Sequence, residues 1–356
     1  MASEVCLARI SDGGDAAHVR ERIREAFTAA GLGDCFREKD LVAVKVHFGE
    51  RGHKTFVPAE HVRAVVDCVK DGGGLPFLTD TNTLYRGQRD NAVNHLNLAY
   101  EHGFTPENVG APVVIADGPT GSAEVEVPVA GKHYRTVGVA EGIVSANALI
   151  VVTHATGHPG AGLGGVIKNL GMGLSSKKGK LAQHSKSRPT VSVKTCTACG
   201  RCLPMCPVDA ILWREEKAWI DEEKCIGCGE CLAMCRFGAV RFSWDQASED
   251  LQERMAEHAL GAVRDKEDRI GYVTFLMSMT KGCDCFGQPM DPIVPDVGII
   301  AGRDPVAMDA AVLELARDAG GRSLPEIAWS DVNPNVQIDY AAELGLGSRE
   351  YRINEV

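Results

Sequence analysis

The chain has 356 residues, 44% of them hydrophobic, and a formal charge of −10 at pH 7. That length suits one large domain or two small ones, no stretch approaches the roughly 18 apolar residues of a membrane span, and the acidic balance argues against nucleic-acid binding. The N-terminus lacks a basic-then-apolar leader pattern, which predicts a cytoplasmic protein. In that reducing compartment the 13 cysteines point to metal and redox chemistry rather than disulfides.

Taken in chain order, helix and strand patterns alternate. Residues 16–30 carry Val19, Ile23, Ala26, Phe27 and Ala30 at helical spacing, and 41–48 read as a buried strand. A second helix over 58–70 has proline near its start and Gly72-Gly73-Gly74 to stop it. Strands are expected at 75–79, 112–116 and 148–153, with helices at 91–102 and near 140–145. Alternation over 124–129 suggests a hairpin with 132–137. Beyond a cysteine-rich stretch, 247–264 reads as a helix, 270–277 and 297–301 as strands, and 305–319 as a closing helix. The tail from Gly320 is punctuated by Gly, Pro and Asn and predicts little regular structure. The pattern predicts an α/β fold around a mostly parallel layered sheet. The simplest domain plan is an α/β domain built from 1–187 and 245–356, with a module at 188–244 inserted into it. That module holds eight Lys/Arg and seven Asp/Glu, so the acidity lies almost wholly outside it.

Eight cysteines fall in two runs of identical spacing, Cys196-x2-Cys199-x2-Cys202-x3-Cys206-Pro and Cys225-x2-Cys228-x2-Cys231-x3-Cys235. This is the spacing of two-cluster bacterial ferredoxins, in which the fourth thiolate of each run serves the other cluster. Two [4Fe–4S] clusters are therefore expected, one on Cys196, Cys199, Cys202 and Cys235, the other on Cys225, Cys228, Cys231 and Cys206. Paired zinc sites are the competing reading, but a third cysteine at x2 and a fourth at x3, twice over, is unlike zinc spacing. Clusters of this kind are oxygen-sensitive, which points to an anaerobic host.

Directly after the strand at 148–153, residues 154–174 read HATGHPGAGLGGVIKNLGMGL. Glycine at that density allows backbone to approach a ligand, so Gly162, Gly164, Gly165 and Asn169 are candidate cofactor-binding residues. The formal GxGxxG match at Gly160, Gly162 and Gly165 does not turn straight off its strand and lacks the downstream acid of a dinucleotide site. His154, His158, Lys168 and His184 are candidate catalytic residues, because sites of open α/β sheets lie beyond the carboxyl ends of the strands. Any one of these histidines could equally be a satisfied packing residue. Ser175 and Ser176 could orient a ligand.

Cys283-x-Cys285 could chelate an additional metal or form a third redox site, or be two incidental buried thiols. His47, His53 or His184 could complete a metal sphere there. Cys6, Cys35 and Cys68 read as small core residues. Asp80-Thr81-Asn82-Thr83 follows a strand and reads as a cap or Asx-turn that also brings oxygens to the same edge. Asp304 and Pro305 fit the N-cap and N1 of a helix. Arg86, Arg89 and Arg303 could bind an anion, with surface arginine as the default.

The segments KVHFGERGHKTFVP, GVIKNLGMG and DVGIIAGRDPVAMDA, with His184, resemble the family called domain of unknown function 362 across most of the chain. That resemblance brings Asp304 and Asp309 toward the site as well. The order His158, Lys168, His184 around Gly164-Gly165 is also similar to the active-site segment of the nickel-pincer lactate racemases. There the lysine tethers a pyridine-based pincer and the last histidine binds nickel. By that similarity Lys168 and His184 would face a metal or an electrophilic ligand, although the eight-cysteine module is a departure from those enzymes. The expected function is an iron–sulfur oxidoreductase that passes electrons through two clusters to a His/Lys/Cys site. The alternatives are a non-catalytic electron-transfer or metallocentre-maturation subunit, or a metal- or cluster-handling protein using the CxC pair. A redox partner protein and a small-molecule substrate are expected, with no nucleic-acid or membrane partner; the oligomeric state is open.

Overall fold

The computed structural model describes residues 2–10, 15–85, 87–184, 188–225, 230–241 and 249–356. An eight-stranded sheet runs in the order Tyr351–Glu355, Ser3–Arg9, Gly298–Gly302, Ile270–Leu276, Ala148–His154, Leu41–Lys45, Leu75–Asp80, Val113–Ile115. All of its strands point the same way except Gly298–Gly302, which is antiparallel to both neighbours. The mostly parallel α/β fold is thus as expected.

Strand residues alternate between two cores, as the two-residue period of a pleated strand requires. Val42, Val44, Ile150, Val152, Val273 and Phe275 pack on one face under the helices Ala16–Ala29 and Ala59–Asp71. Ala43, Leu149, Val151, Tyr272 and Ile300 pack on the other, against Glu249–Val263, Pro305–Gly320 and the short helix Val166–Gly171. The central strand Ala148–His154 is buried along its whole length. Burying one such Val, Leu or Ile side chain is worth about 1.5–3 kcal/mol, which is why an unbroken apolar run belongs in the middle of the sheet. Among the described residues no helix is long and apolar enough to cross a membrane.

Several boundaries differ from the sequence expectation. The expected strand at 41–48 ends at Lys45, and the chain then leaves the sheet. Pro58 is the N-cap of Ala59–Asp71 rather than a first-turn residue. The hairpin forms, but its second strand is Thr136–Ala140, paired Val125↔Val139 and Val127↔Val137. The turn is displaced because the Glu257 carboxylate, buried on the neighbouring helix, accepts the backbone N–H groups of His133 and Tyr134 at 2.9 and 2.8 Å. The terminal strands Ser3–Arg9 and Tyr351–Glu355 were not anticipated; they pair with each other in parallel. The tail also contains the helices Leu324–Ala328 and Asn335–Glu343. Asp304 does cap its helix, accepting from Val306 and Ala307 N–H at 2.9 Å each. Its other oxygen takes Ser3 Oγ and the Ser348 N–H, so it ties both terminal segments to that helix.

Strands from both sides of residues 188–244 share the one sheet. Within that stretch the backbone repeats with a shift of 29 residues. The pairs Ile211↔Ile220 and Leu212↔Trp219 have their counterparts in Val191↔Val240 and Thr190↔Arg241. Ser192 N–H donates to the Ala239 carbonyl and Asp221 N–H to that of Ala210, both at 2.8 Å. Two copies of one supersecondary unit therefore pack around a small core of Ile211, Ile220, Leu232 and Val240.

Candidate active site

Because the strands are parallel, Lys45, Asp80 and His154 end their strands on one edge of the sheet, where the connecting loops converge. The glycine-rich segment opens there as a tight hairpin, Thr156–His158 paired with Gly162–Gly164, and continues into Val166–Gly171. The start of that helix rests on Asp309, whose two carboxylate oxygens accept the Val166 and Ile167 N–H groups at 2.6 and 2.9 Å. Burial raises the Asp309 carboxyl to about 7 despite these two donors.

The space beside the three candidate glycines is taken by protein. A Cβ at Gly165 would lie 2.3 Å from Asp309 Oδ1, one at Gly164 2.4 Å from Thr156 Oγ1, and one at Gly162 3.1 Å from Pro334 Cβ. Gly162 also has φ +73°, a conformation that favours glycine. Their missing side chains serve close packing of the hairpin and helix.

Lys168 and Asn169 stand on this short helix. Asn169 is locked in place: its amide nitrogen donates to the Val152 carbonyl and to Thr153 Oγ1, and its oxygen accepts from Lys45 Nζ at 2.9 Å. Lys45 is fully buried and pairs with Asp80 at 3.1 Å. Arg89, also buried, reaches Asp80 at 3.4 Å and Glu50 at 3.3 Å. Arg89 is therefore a partnered internal cation rather than a surface arginine, and Arg303 is exposed and donates to the Asp268 carbonyl. Arg86 lies outside the described residues. Burial acts against the Asp80 charge, but the cations Lys45 and Arg89 outweigh it and hold the carboxyl well below the usual range.

Opposite Lys168 lies the loop carrying the CxC pair. Cys283 and Cys285 are joined as a disulfide, so chelation of a metal there would first require its reduction. Lys168 Nζ approaches Cys283 Sγ at 3.9 Å. Burial, opposed by Asp284 and reinforced by Lys45 and Arg89, lowers the Lys168 amine to about 8. Asp284, between the cysteines, turns its carboxylate to His154 Nδ1 at 2.7 Å and His53 Nε2 at 3.1 Å, while its carbonyl accepts the Glu50 N–H.

His154 was expected to exchange protons. Its Nδ1 faces Asp284 and its Nε2 faces the Met277 carbonyl at 2.9 Å; both partners are acceptors, so both ring nitrogens carry hydrogen. Burial opposes that charge, but Asp284 prevails and raises the imidazole above its ordinary value. Held between these two acceptors, His154 anchors the CxC loop to the end of its strand.

His158 behaves in the opposite way. Its Nδ1 accepts the Gly160 and Ala161 N–H groups at 3.1 Å each, and burial, Lys168 and His184 press its basicity well below normal. It is a neutral imidazole with its proton on Nε2. His184 caps the helix Lys177–Gln183 and is lowered to about 4 by burial, then Lys168 and Arg254. Lys168 thus lies near enough to both imidazoles to lower their basicity. His47 also stands near Arg89, Asp80 and Asp284; burial first, then Arg89, keeps it neutral, and its Nδ1 accepts the Gly49 N–H. Ser175 is committed to the Gly171 carbonyl and His258, and Ser176 caps Lys177–Gln183, so neither is free for a ligand. Cys6 and Cys35 are buried, and burial pushes the half-buried Cys68 thiol up to about 11.

Burial raises the Cys202 thiol, and Cys235, Cys196 and Cys199 are the neighbouring thiols that raise it further, so Cys235 of the second run stands with the first. Cys206 Sγ accepts the Ala210 N–H at 3.2 Å and Cys235 Sγ the Ala239 N–H at 3.3 Å, again 29 residues apart. Cys225 and Cys231 are described, and Cys228 lies outside the described residues. Two links join this module to the α/β site. Leu84, four residues past Asp80, packs on the module's core. Lys177, which starts the helix ending at His184, feels the charge of Cys235.

Sequence reading missed Lys45 and Asp284 as site residues, along with His95, whose Nε2 lies 3.7 Å from Asp80 and which burial lowers to about 3. A lysine closing the apolar run LVAVK and an acid between two cysteines were the available signals.

No curated protein matches the sequence. Among solved structures, the lactate racemase apoprotein from Thermoanaerobacterium thermosaccharolyticum is similar at 10% identity and a TM-score of 0.39, over 77% of this chain and 50% of that one. A Thermotoga maritima protein is similar at 10% identity and a TM-score of 0.40, over 90% of this chain and 60% of that one. The chain thus spans less than two thirds of either structure's length. The family described as "Domain of unknown function (DUF362)" matches residues 42–314, and the chain belongs to that family.

Proposed function

We propose that the protein is an iron–sulfur oxidoreductase in which electrons from a redox partner protein reach the Lys168 site through the eight-cysteine module. The observation that carries this reading is that Leu84, four residues past Asp80, packs on the core of the eight-cysteine stretch, while Cys235 acts on Lys177 at the start of the helix that ends at His184. The spacing of the eight cysteines suits two clusters. Cys196, Cys199 and Cys202 stand with Cys235, and backbone N–H groups point at Cys206 and Cys235 sulfur as they do toward thiolates. When bound, [4Fe–4S] clusters supply one-electron transfer.

The chain's own residues supply the rest. Lys168, with its amine near 8, is the side chain able to deliver a proton or stabilise negative charge on a small-molecule substrate at neutral pH. His158 presents a neutral Nε2–H as a donor. Lys45, Asp80 and Asn169 hold the Lys168 helix against the sheet. Anaerobic reconstitution followed by iron analysis and electron paramagnetic resonance tests the first half, with two reversibly reducible cubanes expected; zinc in the module overturns it. The second half is tested with Lys168→Met, which should keep both clusters and lose electron delivery to an acceptor. Unchanged reoxidation across a panel of acceptors would instead identify an electron-transfer or maturation subunit.

A further inference from the structure

We infer that Cys283 and Cys285 are a redox-active dithiol/disulfide pair and that the site acts on disulfide substrates. This rests on the reading that the cysteine module delivers electrons. Stabilisation by a disulfide grows with the loop it closes, and this one joins residues two apart in sequence. It constrains almost nothing in the unfolded chain, so a structural role does not account for it.

Its surroundings suit exchange. The residue between the sulfurs is bolted in place by His154, His53 and the Glu50 N–H, and the Tyr85 hydroxyl reaches the Cys285 carbonyl at 3.4 Å. The loop is therefore held whichever state the sulfurs are in. Cys283 is buried against Lys168, whose ammonium favours the thiolate there, while Cys285 is partly exposed and can meet a second disulfide.

The chemistry balances without a further reagent. Two electrons, passed singly from an external low-potential carrier by way of the module, and two protons, one from the Lys168 ammonium and one from water, convert the Cys283–Cys285 bond to two thiols. Both thiols then ionise, their protons passing through water to the departing substrate thiolates, and the Cys285 thiolate attacks a sulfur of the substrate disulfide. A Cys285–substrate bond forms, the substrate S–S bond breaks, and the first substrate thiolate leaves. The Cys283 thiolate attacks Cys285 sulfur, re-forming the internal bond and releasing the second substrate thiolate. The net change is one disulfide reduced to two thiols by two electrons and two protons.

The test is alkylation of the intact holoprotein with iodoacetamide, followed by mass spectrometry of the peptide spanning 283–285. The oxidised protein should leave both cysteines unlabelled and the peptide lighter by two hydrogens. Both should label after treatment with dithiothreitol, and also after reduction through methyl viologen. In Cys235→Ala, labelling after dithiothreitol should persist while viologen-driven labelling falls about tenfold or more. Labelling by dithiothreitol alone in the wild-type protein supports the exchangeable pair and overturns delivery through the module. A peptide without the internal bond, or one blocked by zinc and freed by a chelator, overturns the pair itself. As a substrate probe, reduced wild type should release two more thionitrobenzoate equivalents from 5,5′-dithiobis(2-nitrobenzoate) than Cys283→Ser/Cys285→Ser. Equal release overturns the substrate class.

Discussion

Asp309 shows how one buried side chain sets the position of a reactive one. Its two oxygens hold the first N–H groups of the helix that carries Lys168, and Gly165 leaves just enough room for it. Burial raises its carboxyl from the usual value to about 7, so between about pH 4 and pH 7 the folded protein binds a proton that the unfolded chain releases. The stability this proton confers is fully present below about pH 4 and is lost as pH rises through about 7. Asp309→Asn cannot titrate, so its urea midpoint should lack this component of the slope. The variant also aims an amide NH2 at one of two backbone donors, and a buried unmatched group costs about 1–3 kcal/mol. Urea unfolding of both proteins at several pH values measures the two effects. An unchanged slope would show that Asp309 does not take up a proton on folding.

The elements that meet at the strand ends account for what was and was not legible in the sequence. His158, Lys168 and His184 could be found because one glycine-rich segment and the helix after it carry all three. Asp284 could not, because its partner His154 is 130 residues away and meets it only once Ile270–Leu276 lies parallel beside Ala148–His154. The same holds for Lys45, whose partners Asp80 and Asn169 come from a neighbouring strand and a later helix. Periodicity locates each strand, but it says nothing of which strand ends stand side by side. Helix caps such as Asp304-Pro305 are local and were read correctly, whereas the hairpin strand at 132–137 slipped because Glu257, far along the chain, takes the turn's N–H groups. This convergence makes Asp80 the most sensitive position at the edge, since it is the anion facing Lys45, Arg89 and His95. Asp80→Asn leaves the buried Lys45 without its anion and should cost about 3–5 kcal/mol. Because the wild-type carboxyl is depressed, its contribution is present above about pH 4 and is lost as pH falls below that, so the variant should also lose part of the acid-unfolding transition. A wild-type-like urea midpoint for Asp80→Asn would mean that the network is not what holds these strand ends together.

At the scale of the whole molecule, the two described ends of the cysteine-rich stretch stand side by side, since Thr190 pairs with Arg241. Replacing the module with a short Gly/Ser linker should therefore leave the eight-stranded sheet intact, with a cooperative unfolding transition and no bound iron. An unfolded product would show that the sheet depends on the module. Within that stretch the 29-residue repeat makes two equivalent halves, and Cys235 of the second lies near Cys202 of the first, so an exchange of the fourth cysteine is the arrangement to test. That exchange can be tested by combining substitutions and counting intact cubanes by spin integration after anaerobic reconstitution. If Cys235 serves the first run, Cys196→Ala and Cys235→Ala damage the same cluster, and the double variant keeps the one intact cubane that each single variant keeps. Cys225→Ala combined with Cys235→Ala then damages both and leaves none. If each run held its own cluster, the two double variants would trade outcomes: Cys196→Ala/Cys235→Ala would lose both cubanes and Cys225→Ala/Cys235→Ala would keep one. Cross-ligation would make the repeat a closed pair rather than two separable units: neither half would supply four ligands to one cluster, so folding of each would depend on the other.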